Sequence, residues 1–244
     1  MNKIYSNQEE LNKLETILVG YLKLPFTEDT IPGSLMENVL ATVRQGVVLN
    51  TYDFVDVVNK NEKIGWQVKS TKDTTPVTWK RAKIANSQSL INESFNSDKA
   101  LSILGNEIIR FCNDHAEESL RLYNLDAIGY SRLIVHKNNR ISYFERLLCT
   151  KENPIIFNED DFIWHWSTPK VTIKKEQLPA LHGINKKNNK KWFAWHGLGE
   201  NQLHFSGEKE WWPTDGSLKT FDFPSSKLNR SELMNLLENL SKLT

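Results

Sequence analysis

Apolar residues recur along the chain in two rhythms. Between residues 8 and 22, Leu11, Leu14, Ile17, Leu18 and Leu22 fall near the 3.6-residue period of an amphipathic helix. The stretch LPFTEDTIPGS that follows has the Pro, Gly and Thr content of a loop. Ser34 with Glu37 three residues on has the spacing of a capping box, which predicts a second helix opening at Ser34 and stopping at Gly46. The rhythm then shortens to two: residues 47–49, 54–58 and 64–68 predict strands, the last two joined by an Asn-Lys-Asn-Glu turn. Helical stretches return within 79–85 and 98–125, the latter with Leu101, Leu104, Ile108, Ile109, Cys112 and Leu120 on one stripe. Apolar runs at 127–136 and 141–149 flank Lys-Asn-Asn-Arg as strands flank a turn.

Past Lys151 the texture changes to short aromatic and basic strands, DFIWHWST, KVTIKK, KWFAWHGLG and QLHFSG, with NKKNNKK as an exposed turn. An amphipathic helix over about 230–243, opened by Asn229 or Ser231, closes the pattern. The expected fold is α/β, a central mixed sheet flanked by helices with a β-rich, Trp-rich C-terminal extension. A soft boundary near Pro154 separates residues 1–153 from 154–244, either as two domains or as one continuous body. Six of the eight Trp (Trp164, Trp166, Trp192, Trp195, Trp211, Trp212) lie in the last third, which suggests a second functional surface there.

Composition narrows the setting. With 244 residues and 39% hydrophobic content the chain can bury a real core, and 31 basic against 30 acidic residues leave no global field that would advertise nucleic acid. No apolar run reaches membrane-span length and the first twenty residues carry Glu and Lys, so a cytoplasmic chain without a membrane partner is expected. Cys112 and Cys149, far apart and outside any CxxC, read as reduced core thiols. His196 and His204 lack a third ligand for zinc, HGLGENQ is a turn rather than a dinucleotide fingerprint, and Trp164-His165-Trp166 is an aromatic strand face.

One hairpin carries chemistry. Metal-dependent phosphodiester hydrolysis needs a hard cation held by one or two carboxylates, and benefits from a Lys that orients water and offsets developing charge. The two-residue period of a strand puts Gln67 and Lys69 on one face. A turn centred on Lys60 pairs Asp53 with Gln67, which favours Asp53 over Asp56, on the opposite face, as the cation's carboxylate. Over residues 34–72, Asp53, the hairpin, Gln67-Val68-Lys69 and the following Ser70-Thr71 resemble the PD-(D/E)XK nuclease core of type II restriction endonucleases. Gln67 stands where that motif has Glu or Asp, as in some members, and Tyr52 stands where it has Pro.

The resemblance implies a restriction-endonuclease-like core and Mg²⁺-dependent, sequence-specific hydrolysis of double-stranded DNA by a homodimer. It implies Mg²⁺ on Asp53, with the Gln67 amide oxygen or the Val68 carbonyl and Glu37 of the preceding helix, and Lys69 orienting or activating water. Glu37 is equally well explained as the acid of a capping box. Two other readings stay open: a repair or recombination nuclease with the same hairpin, and a non-catalytic DNA-binding or interaction module whose Asp and Lys are structural. For DNA, Lys72, Lys80 and Arg81, and the later Lys190 and Lys191, are candidate phosphate contacts, while Asn201, Gln202 and His204 form a candidate recognition loop. The bland alternatives are a solvated helix face for the first group and a Trp-rich β core with a lysine-rich turn for the second.

Overall fold

A computed structural model describes residues 4–27, 30–171, 176–213 and 218–242. In chain order the elements are α1 (Gln8–Leu22), α2 (Gly33–Val43), β1 (Val47–Val48), β2 (Val57–Asn59), β3 (Ile64–Lys72), β4 (Val77–Arg81), α3 (Ser87–Ser94), α4 (Asp98–Leu122), β5 (Ala127–Val135) and β6 (Arg140–Thr150). They continue with β7 (Phe162–Trp166), β8 (Lys170–Val171), β9 (Glu176–Gln177), β10 (Leu181–Asn185), β11 (Lys190–Trp195), β12 (Gln202–Phe205), β13 (Lys219–Asp222) and α5 (Arg230–Leu240). Residues 172–175 of the KVTIKK run lie outside the described residues.

Six strands form a mixed sheet in the order β1-β2-β3-β5-β6-β13, in which only β3 and β5 run parallel. A parallel pair needs a long crossover, and here β4, α3 and α4 supply it. β4-β12-β11-β10-β7 form a second, fully antiparallel sheet. β4 comes from before Pro154 and β13 from after it, so each sheet recruits a strand from across the expected boundary, and one apolar core joins α4 to both sheets.

Alternation along β3 decides what each face of the mixed sheet meets. Ile64, Trp66 and Val68 point to α1 and α2, where they pack with Leu14, Leu18, Met36, Leu40 and Tyr143. Gln67 and Lys69 therefore point the other way, toward α4 and the second sheet. That side is an aromatic core in which Trp79 lies 4.9 Å from Phe205 and 5.6 Å from Tyr130. The Trp-rich last third builds this core: Trp195 is fully buried and Trp164 nearly so, while Trp166, Trp192, Trp211 and Trp212 pack at its margin. Gly105 and Gly183 make room for Trp164, because a Cβ at either position would stand within 2.2 and 2.8 Å of its ring.

Three local readings are corrected. Ser34 is not a cap: the helix begins one residue earlier at Gly33, with the Pro32 carbonyl accepting from Met36 N at 3.1 Å and no side-chain cap bond. Residues 79–85 are not helical, since Val77–Arg81 form the edge strand β4 with Val77 and Trp79 inward. The strand expected over 54–58 shrinks to Val57–Asn59, and the turn falls at 60–63, where Lys63 takes a left-handed φ of 54° and Asn59 Oδ1 accepts from Glu62 N. Where the sequence left Asn229 and Ser231 open, Asn229 caps α5 in a full capping box. Among the described residues no helix is long and apolar enough to cross a membrane.

Burial pushes the thiols of Cys112 and Cys149 up to about 12. A thiol is reactive as thiolate, so a disulfide-exchange reagent at pH 8 is expected to titrate neither thiol rapidly in the native protein and both after denaturation.

Candidate active site

The turn at 60–63 sets the register of the hairpin. Val57 pairs with Trp66, Val58 with Gly65 and Asn59 with Ile64. Continued one step, that register sets Asp56, not Asp53, across from Gln67; the expected pairing about Lys60 is corrected by the later position of the turn. Because β2 begins only at Val57, which pairs with Trp66, β3 is bare on that edge beyond Trp66. The Val68 N–H that β2 leaves unpaired is taken by Asp56, whose Oδ2 accepts it at 2.7 Å. A strand residue's N–H and C=O point to the same side, so the Val68 carbonyl faces this open edge as well. Lys69 Nζ lies 3.9 Å from the same Asp56 oxygen.

Glu37, on α2, adds a second carboxylate. Freed of any capping role, it sits close enough to Asp56 and Lys69 for both to act on its ionisation: burial, then Asp56, raises its pKa, while Lys69 lowers it. Asp56 is likewise pushed up by burial, with Lys69 and the Val68 N–H pulling it down. Two half-buried carboxyls that each resist ionisation form a site that a cation would relieve.

Gln67 stands beside them with 2% of its surface exposed. Its Nε2 donates to the Trp79 carbonyl at 3.4 Å, and its Oε1 is buried without a hydrogen-bond partner among the described residues. A buried acceptor with no donor calls for an explanation, and a hard cation, which takes oxygen ligands, is one. Mg²⁺ therefore fits the donors present: Asp56, the Val68 carbonyl, Gln67 Oε1 and Glu37. Among the described residues no three carboxylate, imidazole or thiolate groups gather as a metal cluster, so amide and carbonyl oxygens would have to complete the shell.

Asp53 occupies the far wall of the same cleft, a space of about 840 Å³ that Asp56, Gln67, Lys69, Lys80 and His115 also line. Its carboxylate accepts from the Tyr123 hydroxyl, at the end of α4, and that bond followed by one from Thr51 holds its pKa down. Two hydroxyl donors thus hold the Asp53 carboxylate, whereas Asp56 accepts from the Val68 N–H and faces Lys69. The cleft runs between the bare edge of β3 and the edge strand β4, with Phe111 and His115 of α4 closing the end.

The candidate DNA contacts scatter by face. Arg81 and Lys83 are exposed on the rim, and Lys72 is exposed at the end of β3. Lys80 is not a surface contact: it pairs with the fully buried Leu203 and points inward, its Nζ buried. Gln202 and His204 belong to strand β12 rather than to a loop, and pair with Arg81 and Thr78 of β4. Gln202 donates to Glu200 at 2.8 Å, and the His204 ring is 4.8 Å from that of His196. Asn201 holds the turn before β12 at a φ of 56°, its carbonyl accepting from Ala82 N. Lys190 is tied to Glu210 at 2.7 Å, and Lys191 stays exposed one residue further on. The inward Lys80, the rim residue Thr78 and the Asp53–Tyr123 pair carried no signal in the sequence, since strict alternation on Val77 and Trp79 would turn Lys80 outward.

No family model, curated protein or solved structure matches the chain.

Proposed function

We propose that the chain is a Mg²⁺-dependent endodeoxyribonuclease of the PD-(D/E)XK type, a type II restriction endonuclease cutting double-stranded DNA, with Asp56 in the role first assigned to Asp53. The observation that carries the reading is the convergence of Asp56, the Val68 edge, Gln67 and Lys69 on a bare strand edge, with Glu37 beside them. When bound, the ion supplies Lewis-acid charge to the scissile phosphate. Asp56, Glu37, Gln67 Oε1 and the Val68 carbonyl are the groups that would hold it. Lys69 orients the attacking water through its ammonium and offsets the charge that develops as one P–O bond forms and another breaks.

Gln67 makes this a site of reduced negative charge, so its affinity for Mg²⁺ is weaker than an all-carboxylate set would give. The rim cations Arg81 and Lys83 would meet backbone phosphates, and Gln202 and His204, on the outer face beside Arg81, are placed for base edges. A two-fold protein matches a two-fold sequence, and a homodimer is the assembly expected on such a site.

Unmethylated plasmid DNA incubated with the full chain tests the reading. Discrete fragments with Mg²⁺ and none with EDTA are the expected result. Smearing would favour a repair or recombination nuclease, and intact DNA across Mg²⁺, Mn²⁺ and Co²⁺ would leave a non-catalytic module as the better account.

A further inference from the structure

Lys80 is the feature that the proposed chemistry leaves unexplained. In β4 it shares a row with Leu203 of β12 and Trp195 of β11, both fully buried, and this alignment turns its side chain under the second sheet. Its Nζ is buried with no hydrogen-bond partner among the described residues. An ammonium in that state is costly, and a folded protein seldom keeps one without a ligand to meet it. The group lines the cleft with Asp53, Asp56, Gln67 and Lys69. Asp53 and Asp56 are the acids that draw on its charge, and burial, the larger influence, pulls its pKa down.

Charge decides what else fits. Glu37, Asp53 and Asp56 outnumber Lys69 and Lys80 by a single negative charge, because position 67 holds a neutral amide, and Arg81 and Lys83 on the rim offset that charge further. One divalent ion already reverses that balance. A second would sit against the fixed ammonium of Lys80 with no carboxylate to spare, since Asp53 is bound by Tyr123 and Thr51.

We propose that Lys80 is a second cation built into the cleft, its Nζ contacting an oxygen of the scissile phosphate where a two-ion nuclease would use metal, so that the site works with one divalent ion. The assignment rests on the phosphodiesterase reading above. It makes Gln67 and Lys80 complementary: the chain has one carboxylate fewer and one ammonium more than a two-ion site would carry. Lys80 differs from Lys69 in its source and its partner. Lys69 stands on the metal-bearing strand beside Asp56, whereas Lys80 approaches from the other sheet with no oxygen yet bound.

Mn²⁺ alone, titrated into the full chain and followed by the electron paramagnetic resonance of free Mn²⁺, reads the stoichiometry without any turnover. Wild type is expected to bind one ion. Lys80→Met is expected to bind Mn²⁺ at least about tenfold more tightly or to admit a second ion, because a unit positive charge lining the same cleft is removed. It is also expected to bind inorganic phosphate at least about tenfold more weakly, with Lys80→Arg close to wild type in both measurements. Replacing an unpartnered buried ammonium by an isosteric apolar chain does not threaten the fold, and the wild-type count needs no variant. Two ions in wild type would overturn the assignment, as would a Lys80→Met protein whose Mn²⁺ binding or whose phosphate affinity is unchanged. Wild type that binds no Mn²⁺ at all would instead remove the metal-nuclease reading itself.

Discussion

Asp56→Asn is expected to lower DNA cleavage by about 10³-fold or more, the order of the several kcal/mol that a correctly held divalent ion contributes to a phosphoryl transition state. Asp53→Asn, by contrast, is expected to stay within about tenfold of wild type, because an amide oxygen can still accept from the Tyr123 hydroxyl. The contrast follows from the register. Asp56 meets the open Val68 N–H at 2.7 Å and Lys69 Nζ at 3.9 Å, whereas the Asp53 carboxylate is committed to the Tyr123 hydroxyl. Steady-state cleavage of a plasmid at saturating Mg²⁺, with far-ultraviolet circular dichroism as the control for folding, separates the two. The reverse ranking would return the metal to Asp53 and would require the hairpin to slip in solution.

The second large effect concerns stability. Arg132 lies in the middle of the mixed sheet with 1% of its surface exposed. Its guanidinium is clasped by Glu208, with Nε to Oε2 at 3.0 Å and Nη2 to Oε1 at 2.9 Å, and Nη2 also donates to Thr71 Oγ1 at 2.8 Å. Tyr130 Oη donates to the same Glu208 oxygen at 2.9 Å. Glu208 comes from the short 3₁₀ turn Gly207–Trp211, so this fork fastens the C-terminal third to the central sheet. Glu208→Ala strands a buried guanidinium and is expected to cost about 3–5 kcal/mol. For a chain of this size that corresponds to a fall in Tm of roughly 6–20 °C. Arg132→Met combined with Glu208→Leu should recover at least half of the loss, since the penalty lies in the unpaired charge rather than in the missing contact. Thermal unfolding of the three proteins measures it; a single variant within 1 °C of wild type, on the order of the smallest shift that a few tenths of a kcal/mol would give, would show that water reaches Arg132.

The cleft explains why one lysine was misplaced by its spelling. Lys72, Lys80, Arg81 and Lys83 look alike in the sequence, basic residues at and beyond the end of β3. Read as a helix they share a solvated face; in the structure Lys72 ends β3 and Lys83 follows β4, and within β4, with a bulge opposite Leu203 and His204, Lys80 and Arg81 divide between inside and outside. A bulge adds one residue to one strand, and that single residue turns Lys80 under the sheet while leaving Arg81 on the rim.

Much was legible from local pattern alone. The 3.6-residue stripe of α1, the long stripe of α4, the paired strands β5 and β6 and the start of α5 near residue 230, though not the choice of Asn229 over Ser231 as its cap, are short-range features, each written in residues within a few positions of one another. So was the identity of Gln67 and Lys69 as same-face partners, because a strand alternates whatever it packs on. Register, by contrast, was settled by where a turn closes. Asn59 and Lys63 moved that turn past Lys60, and the move exchanged Asp53 for Asp56 at the site. The roles of the Trp-rich segment and of Lys80 were decided at still longer range, by which faces meet. Side chains far apart in sequence become a core or a cleft only when two sheets and α4 close on one another, and no period of two or 3.6 residues encodes that closure.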